Sequence, residues 1–200
     1  MKLVDIIAYT GVFAFAITGA LKARKHHMDI FGATVLAFVT AYGGGTVRDL
    51  FLGIRPVNWL NDYIALSLVI SAVLIVSVLK RSTIKFMRAI FLTDAMGLGL
   101  FTATGIEVGL QHGANLTYAV VMGVITATFG GLLADILSNT IPDLLKRGEL
   151  YATASLIGGI VYTCVLKMGA THNVDQIVCL VVVVLVRIIS KRKRLVLPDI

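Results

Sequence analysis

Sliding the 200-residue chain against itself by 86 positions brings two stretches into ungapped register. Gly11, Phe15 and Gly19 fall on Gly97, Phe101 and Gly105. Thr40 and Ala41 fall on Thr126 and Ala127, Gly44 and Gly45 on Gly130 and Gly131, Asp49 on Asp135, and Pro56 on Pro142. Coincidence between apolar segments would align Leu, Val and Ala. These matches involve glycine, aspartate and proline, residues with particular backbone or electrostatic roles. The chain therefore holds two copies of one unit, and its fold must accommodate both.

Hydropathy says what the unit is. With 58% hydrophobic and 14% charged residues and a mean hydropathy of +0.91, the chain is too apolar for a soluble domain and belongs in a membrane. Nineteen glycines against three prolines favour packed helices over a barrel of alternating strands. Apolar runs occur at Leu3–Leu21, Ile30–Leu52, Ile64–Leu79, Ala89–Ile106, Tyr118–Leu137, Ala152–Leu166 and Val174–Ile189. Several fall short of the roughly 20 residues a perpendicular span needs, so their ends borrow flanking residues or the bilayer thins. The first run contains Asp5 and lacks a basic leader, which reads as a retained helix rather than a cleaved signal.

Each unit contains three helices, and three is odd, so the second copy enters the membrane from the opposite side. The expected fold is an all-α membrane protein of seven transmembrane helices: two inverted three-helix repeats plus a seventh helix. Residues 1–190 form one transmembrane domain, with repeat one at about 3–80, repeat two at about 89–167 and helix seven at about 174–189. Residues 191–200 form a basic tail.

Basic residues set the orientation. Lys22, Arg24, Lys25, Lys80, Arg81, Lys85, Arg88, Lys146, Arg147, Arg187 and the Lys191–Arg194 run put 14 charges on one side, whereas Lys2, Arg48, Arg55 and Lys167 put 4 on the other. The positive-inside rule then places the N-terminus outside and the C-terminus in the cytoplasm. A net charge of +7 confined to short loops of an apolar chain points to anionic lipid, not nucleic acid. Cys164 and Cys179 lie in apolar runs and read as small buried hydrophobes.

Inverted repeats place the transported species near the repeat interface, commonly at interrupted helices. That directs attention to helices two and five. Helix two carries Thr40, then Gly43-Gly44-Gly45-Thr46-Val47-Arg48-Asp49; helix five carries Thr126, Gly130, Gly131 and Asp135. Each interior glycine costs about 1 kcal/mol relative to alanine. Either close helix packing or a kink bordering a polar cavity offsets that cost, and the flanking charges favour the kink. Gly45 and Asp49, like Gly131 and Asp135, share a helix face. Arg48, Asp49, Asp135 and Asp94 lie within apolar runs, where charge is costly unless it faces a cavity or a partner. Pairing of Arg48 with Asp49 or Asp135 as structural glue, or snorkelling, is the competing reading. Asp94, near the start of helix four, is divided between an interfacial and a pathway location.

Thr40, Thr46 and Thr126 offer hydroxyls to a partly dehydrated cation, although bonding to their own backbone is commoner. Gly11, Gly19, Gly97 and Gly105 read as helix contacts. Lys22 to His27 reads as a solvated loop, and His26 and His27 alone are a weak metal signal. No nucleophile is paired with a base, no phosphate loop or zinc spacing is present, and so neither an enzyme nor a cofactor is expected.

The string Gly43-Gly44-Gly45-Thr46-Val47-Arg48-Asp49, with Gly53 and Pro56 downstream, the Asp94-Ala95-x-Gly97-Leu98 opening of helix four and the Gly130-Gly131 echo, resembles the prokaryotic branch of the trimeric intracellular cation (TRIC) channel family. It is similar too to bacterial proteins regarded as glycine transporters in the same domain family. The resemblance implies a homotrimer with one pore per protomer, permeation of monovalent cations, chiefly K⁺, and pore lining by helices two and five. Carried over residue by residue, this implicates Gly43, Gly44, Gly45, Arg48 and Asp49, and Gly130, Gly131 and Asp135. Repeat two departs from the pattern with Ala134 opposite Arg48 and Asn139 opposite Gly53. Asp135 is thus expected without the adjacent counter-charge that Asp49 has. The leading expectation is a potassium-permeable channel; the rival is a secondary transporter for glycine or another small zwitterion, with Arg48 on the substrate carboxylate.

Overall fold

The computed structural model describes residues 3–79, 83–147, 150–169 and 172–196. Among the described residues seven α-helices are present: α1 Leu3–Lys25, α2 Ile30–Phe51, α3 Tyr63–Val78, α4 Thr83–Gln111, α5 Leu116–Leu137, α6 Ala152–Lys167 and α7 His172–Lys193; a short 3₁₀ turn covers Asn58–Asn61. No strand occurs among the described residues. Helices α1, α2, α4 and α5 contain stretches long and apolar enough to cross a bilayer, whereas α3 and α6 are apolar but have 16 residues each.

The helices start where side chains can satisfy orphan amides. Asp29 Oδ1 accepts the Gly32 N–H at 2.7 Å to open α2, and Asn115 Oδ1 accepts the Tyr118 N–H at 3.0 Å to open α5. These caps are themselves 86 residues apart. Both helices also end alike. Ile54 donates to the Asp49 carbonyl and Thr140 to the Asp135 carbonyl, each at 2.9 Å. The turns pass through Gly53 at φ +68° and Asn139 at φ +50°. Asparagine tolerates the left-handed region, so its replacement of glycine preserves the turn.

Packing repeats too. α1 packs on α2 and α3 as α4 packs on α5 and α6, while α1·α4 and α2·α5 join the copies and α7 closes against α4 and α6. Near the centre, Phe15 and Phe101 meet edge to face with centroids 5.0 Å apart. Each ring occupies the space left by the other copy's glycine: a Cβ on Gly97 would lie 2.1 Å from Phe15, and one on Gly11 2.9 Å from Phe101. Gly19 and Gly105 likewise abut Thr40 and Thr126.

Three expectations are corrected. α1 runs on to Lys25, so Lys22 belongs to a helix and is only 8% exposed. Cys164 is exposed on α6, because the outer face of an apolar helix meets lipid or a partner, and an apolar run alone does not mark the interior. Finally, α2 is helical without interruption through Gly43–Gly45; the glycines serve a crossing and do not break the helix.

Candidate functional site

α2 and α5 cross backbone to backbone. A Cβ on Gly44 would lie 1.9 Å from the Thr126 carbonyl oxygen, and one on Gly130 2.2 Å from that of Thr40. The two helices thus exchange identical contacts about the pseudo-two-fold axis. Gly43 joins them, its Cβ position lying 3.3 Å from the Gly130 Cα. Close approach recovers in packing what the glycines cost in helix propensity. Gly45 and Gly131 stand outside the crossing: their Cβ positions meet Arg48 at 3.7 Å and the Tyr151 hydroxyl at 2.8 Å. The threonine hydroxyls bond their own helices, Thr40 to Leu36 and Thr126 to Met122 at 2.6 Å and Thr46 to Tyr42 at 2.8 Å.

A cavity lies at each end of the crossing. At the Asp49 end, about 320 Å³ is bounded by Asp5, Asp49, Asp62 and Glu107, by one cation, Arg48, and by Tyr9, Tyr42, Trp59, Phe101, Gly45 and Thr126. Arg48 clamps Asp49 Oδ1 through its Nε at 2.9 Å and Nη2 at 2.6 Å, and the Asn58 N–H reaches Oδ2 at 3.0 Å. Trp59 Nε1 donates to Thr46 Oγ1 at 3.0 Å, seating the 3₁₀ turn on α2.

At the Asp135 end, about 430 Å³ is bounded by Lys22, Lys25, Lys146, Arg147, Arg187 and Lys191 with Asp94, Asp135 and Asp143. Lys22 Nζ donates to Asp135 Oδ1 at 2.6 Å and stands 3.6 Å from Asp143. Asp135 Oδ2 accepts the Asp143 N–H at 2.9 Å, the counterpart of Asn58 on Asp49. Asp135 has no adjacent counter-charge, since Ala134 precedes it, but it has a distant one in Lys22. Its cation comes from α1 of the other repeat, at a position that the 86-residue offset matches to Val108.

Asp143, in the loop after α5, feels burial most, which raises its pKa, but Lys22, Lys146 at 2.5 Å and Arg187 together hold it below the usual 3.8. Asp94 is buried, 3% exposed. It accepts from the Tyr151 hydroxyl at 3.1 Å and Arg187 Nη2 at 3.2 Å, which ties α4 to α7. Arg187 also lies over the rings of Phe91 and Tyr151, 5.0 and 4.7 Å from their centroids.

The sequence reading therefore located Arg48 and Asp49 together but missed Lys22, Asp143, Asn58, Trp59, Arg187 and Glu107. One signal was present for Lys22: three residues after Gly19, it shares the face of a repeated glycine.

The family model described as Glycine transporter matches the chain twice, over residues 5–81 and 91–167. The chain is 38% identical to a UPF0126 membrane protein of Vibrio cholerae over 198 residues, 98% of this chain and 82% of that one. It is 40% identical to the UPF0126 inner membrane protein YadS of Escherichia coli over 192 residues, 94% of this chain and 91% of that one. Among solved structures, a TRIC trimeric intracellular cation channel orthologue from Rhodobacter sphaeroides superposes with a TM-score of 0.87 at 35% identity, covering 98% of this chain and all of that one. A second TRIC cation channel gives 0.85 at 37%, covering 98% and 96%. With a seven-helix fold shared at that level and both repeats matched, the chain belongs to this glycine-transporter family of membrane proteins and has the fold of the TRIC channels.

Proposed function

We propose that the protein is a non-enzymatic, potassium-permeable channel for monovalent cations, with its pathway running past the α2/α5 crossing between the two cavities. One observation carries the reading: Asp49 and Asp135, equivalent in the repeat, sit at opposite ends of that crossing, each at its own cavity and each neutralised by an internal cation. Such a carboxylate attracts cations when its tether leaves, and the tether's own positive charge masks it when it returns. Arg48 and Lys22 are then gates, one per end, and the arrangement described is the tethered one. Gly43, Gly44, Gly45, Gly130 and Gly131 set the closeness of the helices, and Thr40, Thr46 and Thr126 border the path. Asp94, locked to Arg187 and Tyr151, is a brace at the mouth. The charge count supports a cytoplasmic Asp135 end, hence N-terminus outside and C-terminus inside. The named assembly of the structural relatives supports a homotrimer with one pathway per protomer.

Purified protein in planar bilayers tests this: discrete K⁺ currents are expected, with reversal potentials in a KCl gradient lying near the K⁺ equilibrium value. The family description favours one rival, a glycine carrier with Arg48 on the substrate carboxylate. Saturable uptake of labelled glycine without unitary current decides for the carrier.

A further inference from the structure

The two cavities have matching mouths but differ in how far they reach past them. Around each mouth the lining corresponds by the 86-residue offset: Asp49 with Asp135, Asp5 with Phe91, Val108 with Lys22 and Gln111 with Lys25. Past its mouth the cavity at the Asp49 end continues along Tyr42, Gly45, Phe101 and Thr104. Their counterparts are Thr128, Gly131, Phe15 and Thr18. Among the described residues none of these four lines the cavity at the Asp135 end. Gly45 is half-buried, whereas Gly131 is buried and the other three counterparts are at most 1% exposed.

One exchange between the repeats coincides with the missing depth. Ala65, near the start of α3, lines the cavity that Gly45 also lines. The offset matches Ala65 to Tyr151, at the head of α6. The Tyr151 hydroxyl lies 2.8 Å from where a Cβ on Gly131 would stand, so the ring occupies the space that stays open beside Gly45. Two further helices hold it. The hydroxyl donates to Asp94 Oδ1 of α4 at 3.1 Å. Arg187 of α7 lies over the ring, 4.7 Å from its centroid, and donates to the other Asp94 oxygen at 3.2 Å. Repeat one has neither support, since Asp94 corresponds to Ala8 and α7 belongs to no repeat.

We propose that Tyr151 is the steric barrier of the pathway, closing it one helical turn deeper than Asp135, and that Asp94 and Arg187 are positioning residues that hold the ring there. A hydrated cation needs a file of water or polar oxygens, and an aromatic ring packed on a helix backbone leaves no room for either. The alanine at the Asp49 end leaves that room. This inference rests on the channel reading and divides its labour: Lys22 sets the charge of Asp135, while Tyr151 decides whether there is space beside it. The ring swings aside when its hold on Asp94 breaks.

Cysteine labelling tests this without any current. In a Cys164→Ser background the full chain carries Gly45→Cys, Gly131→Cys or Thr128→Cys, in lipid nanodiscs that leave both faces open. The reagent is 2-hydroxyethyl methanethiosulfonate, whose lack of charge keeps the two ends comparable. Rates are read by mass spectrometry, and the buried native Cys179 reports any general loosening. Gly45→Cys is expected to react at least tenfold faster than the other two. Adding Tyr151→Ala raises the Gly131→Cys and Thr128→Cys rates at least tenfold while Cys179 stays unmodified. Unchanged rates overturn the proposal, and so does modification of Cys179 alongside them. Thr128→Cys, close to the native side chain in size, decides if Gly131→Cys does not fold, and Tyr151→Leu stands in for Tyr151→Ala on the same ground. Labelling as expected in a protein without K⁺ current overturns the channel reading and leaves the barrier standing; K⁺ current with unchanged labelling does the reverse.

Discussion

Lys22 Nζ lies 2.6 Å from Asp135 Oδ1, joining a cation of repeat one to a carboxylate of repeat two with both side chains 10% exposed or less. Removing one partner of a buried pair strands the other, a loss of about 3–5 kcal/mol. Asp135→Asn is therefore expected to destabilise the protein as much as Asp49→Asn does, and Lys22→Met should recover much of the loss in an Asp135→Asn background. Thermal unfolding in detergent measures all three. An Asp135→Asn protein that melts like the parent refutes the pairing.

The crossing gives a contrast between neighbouring glycines. Gly44→Ala forces a methyl carbon to within 1.9 Å of a backbone oxygen unless α2 and α5 separate. Overpacking of this kind costs about 1–3 kcal/mol, and backbone offers less relief than a side chain does. Gly130→Ala should match it. Gly45→Ala meets only the end of Arg48 at 3.7 Å and should be as stable as the parent or more so, by up to about 1 kcal/mol. Equal losses at Gly44 and Gly45 would show that the helices do not touch in this register.

The helices, their number and the two-fold relation were legible because hydropathy and a fixed offset are properties of a linear string. All seven apolar runs became helices, and the repeated glycines met the repeated phenylalanines and threonines. What escaped depends on partners from distant positions. Lys22 looked solvated because the apolar run stops at Leu21, yet it is buried by a carboxylate 113 positions away. Arg187 looked like one more cytoplasmic charge, and its partner Asp94 is 93 positions off. The glycines were read as a kink in preference to close packing, whereas at Gly44 and Gly130 their use is the absence of a side chain. A single-sequence reading sees a charge's immediate neighbours and the helix face it shares, and neither reveals which distant element will pack against it.

Gating should respond at both ends. Arg48→Ala frees Asp49 and Lys22→Ala frees Asp135, so each variant is expected to raise the open probability of K⁺ currents several-fold. The double variant should raise it further. Single-channel recording after reconstitution is the measurement, and an unchanged open probability in Lys22→Ala removes the Asp135 end from gating.

Acid should act through Asp143. Its folded pKa lies below the ordinary 3.8, so protonation is easier in the unfolded chain and the ion pairs stabilise the protein while the carboxylate is charged. That contribution is complete above about pH 5 and disappears as pH falls through the folded pKa. The Tm gap between the parent and Asp143→Asn should be constant from neutral pH down to that point and then shrink. A gap that widens on acidification reverses the sign and rules out the Lys22 and Lys146 pairs as its source.

The glycine crossing is, in form, the interface of a symmetric dimer: Gly44 meets Thr126 as Gly130 meets Thr40. Two copies of the first half could in principle adopt it, and so could two copies of the second. Charge forbids both. Paired with itself, the first half would bring Lys22 to an Asp49 already clamped by Arg48, crowding two cations onto one carboxylate. Paired with itself, the second half would leave each Asp135 beside Ala134 and facing Val108, without the cation that bonds it directly. Only one half of each kind balances, so the substitutions that broke the duplication's symmetry also made its halves obligate partners.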